Sequence, residues 1–69
     1  MNAGQIEHFN ELTKIQKLSE QRVLYYRSGR MKIRDVETGK DCTNEAIGRE
    51  LRMIAGIETT IKQFYSDLV

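Results

Sequence analysis

The chain reads as mainly α: two long antiparallel helices joined by a short β-hairpin, pairing with further copies into a helical-bundle oligomer. Three observations predict this. Two apolar-periodic segments of matched length flank a basic, glycine-punctuated centre. That centre alternates apolar and charged residues at strand period. The chain is also short: its 69 residues make one domain, 1–69. A core in a chain below about 70–80 residues rarely supplies more than ~3–5 kcal/mol.

The first helix is expected over residues 3–28. Ile6, Phe9, Leu12, Ile15 and Leu18 recur at threes, and the stripe continues through Arg22 to Tyr25 and Tyr26. Such spacings lie on one helical face and drift slowly around the axis. Asn2 followed by Gln5 matches an N-cap with its reciprocal partner. Ser28-Gly29 is a natural stop. Val23, Tyr25 and Tyr26 favour sheet, which leaves residues 22–27 open between helix and strand.

The second helix is expected over residues 44–68. Ile47, Leu51, Ile54, Glu58, Ile61, Tyr65 and Leu68 follow alternating spacings of four and three, with Glu58 as the polar interruption. Asp41, Thr43 or Asn44 each suits its N-cap. Gly48 and Gly56 sit mid-helix, where each glycine costs about 1 kcal/mol against alanine and points to a close approach or a bend. The two helices, 26 and 25 residues, match in length. At 1.5 Å per residue each spans about 38 Å, so a short connection returns them antiparallel.

Between them, Met31 and Ile33 alternate with Lys32 and Arg34, and Thr38-Gly39 suits a tight turn, so a hairpin is expected over residues 30–42. Two helices and an isolated hairpin bury little, so the exposed remainder of both stripes is expected to pair with a second copy as a four-helix bundle, with an oligomer interface along the second helix. Its residues are Ile47, Leu51, Ile54, Ile61, Tyr65 and Leu68.

The chemistry of common enzymes has no foothold in these residues. There is no nucleophile elbow, Walker loop, HExxH or dinucleotide fingerprint, and the five glycines lack a phosphate-cradle spacing. Cys42 and His8 are the only cysteine and histidine and stand far apart, which excludes an internal disulfide and gives no metal-ligand spacing. A non-catalytic chain without metal or cofactor is expected. No stretch reaches the roughly 18–20 apolar residues of a membrane helix and no signal-peptide core follows the start, so the expected location is the cytoplasm.

Charge is more informative. The formal net charge is +1, but residues 22–40 carry +4 between segments of −1 and −2. Arg27, Arg30, Lys32, Arg34 and Lys40, with Tyr25 and Tyr26 beside them, form the expected partner-binding site. Arginine forks suit phosphate and carboxylate, and tyrosine rings suit stacking.

One stretch carries a resemblance. Glu45-Ala46-Ile47-Gly48-Arg49-Glu50-Leu51, followed by Ala55-Gly56-Ile57-Glu58-Thr59-Thr60-Ile61-Lys62, resembles helix-turn-helix text over about 18 residues. It implies a DNA-binding regulator reading bases with Thr59, Thr60 and Lys62. With Gly56 as the turn glycine, the small residue usual four positions earlier is replaced by Arg52, and the apolar pattern runs straight through the turn. The helix–hairpin–helix order in so short a chain is similar to that of small head-completion proteins of tailed bacteriophages, an analogy of element order alone.

The leading expectation is a homo-oligomeric binding or inhibitor module presenting a basic hairpin to an anionic partner, nucleic acid or an acidic protein surface, of phage or mobile-element accessory type. The alternatives are the DNA-binding regulator and a structural assembly subunit.

Overall fold

The computed structural model describes residues 2–68 as two helices, α1 (Ala3–Arg27) and α2 (Thr43–Phe64), with a short 3-10 turn at Ser66–Leu68. The helices pack against each other as a hairpin measuring 49 × 18 × 16 Å.

Local chemistry sets the ends of α1. The Asn2 side chain accepts from the Gln5 N–H at 2.9 Å, and the Gln5 side chain accepts from the Asn2 N–H at 3.1 Å. Two otherwise orphaned donors are thereby satisfied. At the other end Gly29 takes φ +80°, and the N–H groups of Gly29 and Arg30 return to the carbonyls of Tyr26 and Tyr25. That is a Schellman closure, which the missing Cβ of glycine permits. Residues 22–27 are helical, so the intrahelical bonds win over the sheet preference of Val23, Tyr25 and Tyr26.

The expected β-hairpin contracts to one antiparallel bridge, Arg34 with Asp41, and no strand is present among the described residues. Both flanks of the bridge are already engaged. Before it, the N–H groups of Arg30 and Met31 cap α1 on the Tyr25 carbonyl. After it, Asp41 and Thr43 start α2: the Asp41 carboxylate accepts from the Thr43 N–H at 2.9 Å and from the Thr43 hydroxyl. Too few residues remain for a ladder.

The helix seam is rotated from the expected stripes. On α1 the inner line is Phe9, Leu12, Gln16, Ser19, Val23 and Tyr26, at spacings of three and four, with Ser19 completely buried. The expected apolar threes leave this line by Ile15 and Leu18, which are exposed. A period of three slips by 60° per step against the helix, so it cannot stay on one face.

On α2, Thr43, Ala46 and Ile57 are buried, Ile47, Ile54 and Ile61 are half-buried, and Leu51 and Glu58 are exposed. Exposed Glu58, the polar interruption of the expected stripe, still reaches α1, its Oε1 accepting from Gln16 Nε2 at 3.3 Å. The polar residue that packs into the seam is Glu50. It enters the seam because Arg22 meets it with two hydrogen bonds, Nε to Oε1 at 2.8 Å and Nη2 to Oε2 at 3.1 Å. The second helix also stops at Phe64, short of residue 68. Tyr65 leaves the helical conformation and is buried, its ring edge-on to His8 and Phe9 and its hydroxyl hydrogen-bonded to His8 Nδ1.

Candidate functional site

The connection between the helices gathers the expected partner-binding cations at one end of the hairpin. Its tip is built by Asp35. The Asp35 carboxylate accepts from the N–H groups of Glu37 (2.8 Å) and Thr38 (3.1 Å), while the Gly39 N–H donates to the Asp35 carbonyl at 2.8 Å. Gly39 holds φ +73°, which closes the turn. These N–H bonds, Thr38 first, hold the Asp35 carboxyl below its ordinary range. Val36, at the apex, is 99% exposed.

Two further bonds anchor the base of the connection to α2. The Cys42 N–H donates to the Ile33 carbonyl at 2.7 Å, and the Ile33 N–H donates to the Thr43 hydroxyl at 3.1 Å. Ile33 is half-buried as a result, and its neighbours in sequence, Lys32 and Arg34, are exposed. Met31, expected on the same side as Ile33, is exposed, so the alternation expected of a strand holds only at Ile33.

Arg27, Arg30, Lys32, Arg34 and Lys40 are all exposed. Arg27 sits in the last turn of α1, where a cation also complements the helix dipole. Arg34 reaches the Gly39 carbonyl at 3.5 Å. Among the described residues the ion pair within 4 Å is Arg22–Glu50, so these five cations hold no carboxylate in direct contact. The nearest influence on an acid is at Asp41. Its carboxyl is lowered by the Thr43 hydroxyl first, then the Thr43 N–H, with Lys32 and Arg34 adding their field.

Tyr25 and Tyr26 are brought to the same end but are not free platforms. Both are half-buried, and the Tyr25 hydroxyl accepts from Gln21 Nε2 at 2.7 Å. The expected oligomer residues are divided. Tyr65, Ile54, Ile61 and Ile47 lie against α1 to differing depth, Leu51 is exposed, and the side chain of Leu68 lies outside the described residues.

Sequence reasoning left out Arg49 and Arg52. They lie on the outer surface of α2 and line a shallow, open depression of about 470 Å³ with Asn44, Glu45 and Gly48. Their spacing of three residues on one helix was the available signal. The segment's negative net charge hid it.

Cys42 is a free, half-buried thiol whose Sγ lies 3.6 Å from the Lys40 carbonyl. Among the described residues no group of three or more His, Cys, Asp or Glu side chains is placed to hold a metal ion. No described helix is long and apolar enough to cross a membrane. The α2 helix runs unbroken through Gly56, with no turn at the position that the helix-turn-helix resemblance requires. Comparison with protein-family models, curated proteins and solved structures finds no match to the chain.

Proposed function

We propose that this chain is a non-catalytic, self-associating binding module whose basic connection captures an acidic protein surface. The supporting observation is the connection: five exposed cations without direct carboxylate contacts gather at the end of the hairpin that carries a fully exposed Val36. A basic connection with an exposed apolar residue fits an acidic surface that offers an apolar dent, a buried anchor within a polar border.

The half-burial of Tyr25 and Tyr26 favours this reading over single-stranded nucleic acid, where free aromatic faces carry much of the affinity. The rim charges act on association rate, an effect confined to about one Debye length, roughly 8 Å at physiological salt.

Binding to immobilised polyglutamate and to a 20-base-pair duplex, each in a salt series, tests the partner class. Retention on polyglutamate with a shallow salt dependence, and little duplex binding at physiological salt, is expected. Tight duplex binding that falls log-linearly with salt, at a slope near −0.9 per phosphate contact, would assign the connection to nucleic acid instead.

A further inference from the structure

We infer that the acidic partner gripped by the connection also seats on the outer face of the first three turns of α2, through Arg49 and Arg52. The inference rests on the reading that the connection captures an acidic protein surface, and it names a second contact for that partner.

The length of the connection calls for such a contact. Between the helices, residues 28–42 number 15. A stable protein interface draws on about 20–30 residues from each side. The connection sits at the narrow end of a hairpin of 49 × 18 × 16 Å, so further contacts have to come from a flank of α1 or α2 beside that end.

Charge chooses between the two flanks. On α2, residues 43–53 hold Glu45, Arg49, Glu50 and Arg52. Glu50 is neutralised by Arg22 across the seam, which leaves two arginines against Glu45. On α1, residues 17–26 hold Lys17, Glu20 and Arg22. With Arg22 set against Glu50, the other two cancel. An acidic surface that extends beyond the connection is therefore drawn toward α2, since complementary charge fixes how partners orient.

The two side chains are placed to receive it. Both are exposed, and among the described residues neither lies within ion-pair distance of a carboxylate. Glu45 precedes Arg49 by four residues, a spacing at which such pairs form on a helix, yet this pair is not made. Arg52 folds back over Gly48: a Cβ on that glycine would lie 3.5 Å from Arg52 Nη1. Four residues of helix rise about 6 Å, so the guanidinium is carried about that far toward the connection. It ends in the shallow depression that Arg49, Asn44 and Glu45 share. Asn44, on the near rim, is the second residue of α2.

Fluorescence anisotropy of labelled polyglutamate at physiological salt tests the inference, with circular dichroism as the check on folding. Arg49→Gln/Arg52→Gln removes two charges from the flank. Lys17→Gln/Lys62→Gln removes two exposed charges elsewhere and controls for net charge. The parent should bind, and the arginine variant should bind about 3- to 30-fold more weakly, as the loss of two exposed ion pairs implies. The lysine variant should match the parent. A parent that does not bind polyglutamate would overturn the capture reading and this inference together. Binding by the parent with an arginine variant no weaker than the lysine variant would overturn the α2 contact alone.

Discussion

Arg22 and Glu50 meet fork to fork within two turns of the connection, the guanidinium donating to both carboxylate oxygens at 2.8 and 3.1 Å. Arg22 Nη2 also donates to the Ser19 hydroxyl at 3.1 Å, which in turn donates to Met53 Sδ. One polar chain therefore crosses a seam that hydrophobic residues alone do not fill. It fixes the relative level of the two helices.

The pair predicts a stability loss. Glu50→Ala leaves the partly shielded guanidinium without its acceptor, and Arg22→Ala leaves the 15%-exposed Glu50 side chain unpaired. Each change should cost about 1–3 kcal/mol, between the values for surface and buried pairs. Urea melts of both single variants and the double variant measure the coupling. Additive losses would mean that the two side chains act independently.

The same pair sets a pH dependence. Arg22 hydrogen bonding holds the Glu50 carboxyl below its ordinary range, against an opposing burial effect. A depressed carboxylate contributes stability that is present above the unfolded pKa, about 4.3, and is lost as pH falls through the folded value. The stability gap between the parent and Glu50→Gln should accordingly narrow from pH 7 to pH 3. A gap that widens on acidification would contradict this sign.

Gly29 predicts a backbone effect that reaches the site. Its φ of +80° lies where a Cβ is strained, and the closure it makes aims the chain from Arg27 into Arg30. Gly29→Ala should destabilise by about 1 kcal/mol. Amide hydrogen exchange at Arg30 and Met31 should speed up more than at mid-helix sites. Uniform exchange throughout would show that the closure carries no local weight.

Much of this fold was legible in the residues, and the misses share one cause. Asn2 with Gln5 announced the start of α1, Ser28-Gly29 its stop, and Thr38-Gly39 the turn, because each acts through its own backbone. The seam did not announce itself. Hydrophobic periodicity included Phe9, Leu12, Arg22 and Tyr26 but also Ile15, Leu18 and Leu51, which are exposed. It passed over Ser19 and Glu50, which become acceptable inside only once their partners on the other helix are known. The bridge at Arg34 and Asp41 was over-extended into strands for a related reason. Of Met31, Lys32, Ile33 and Arg34 only Ile33 turns inward, and alternation does not say how many ladder bonds are available.

For the site, the basic cluster was readable from charge alone. The engagement of Tyr25 with Gln21, the half-burial of Tyr26, and the placement of Arg49 and Arg52 needed the packed helices.

The central claim is that the charge of the connection, held on an unchanged scaffold, carries partner binding. Its most direct test is a quantitative capture from nuclease-treated lysate, with the parent and an Arg30→Glu/Lys32→Glu/Arg34→Glu variant as parallel baits. All three side chains are exposed, and among the described residues none forms a hydrogen bond or ion pair with α1 or α2. The variant should keep its helicity and solution mass and lose the acidic proteins that the parent retains. Equal retention by both baits would contradict the account and move the site onto the helices.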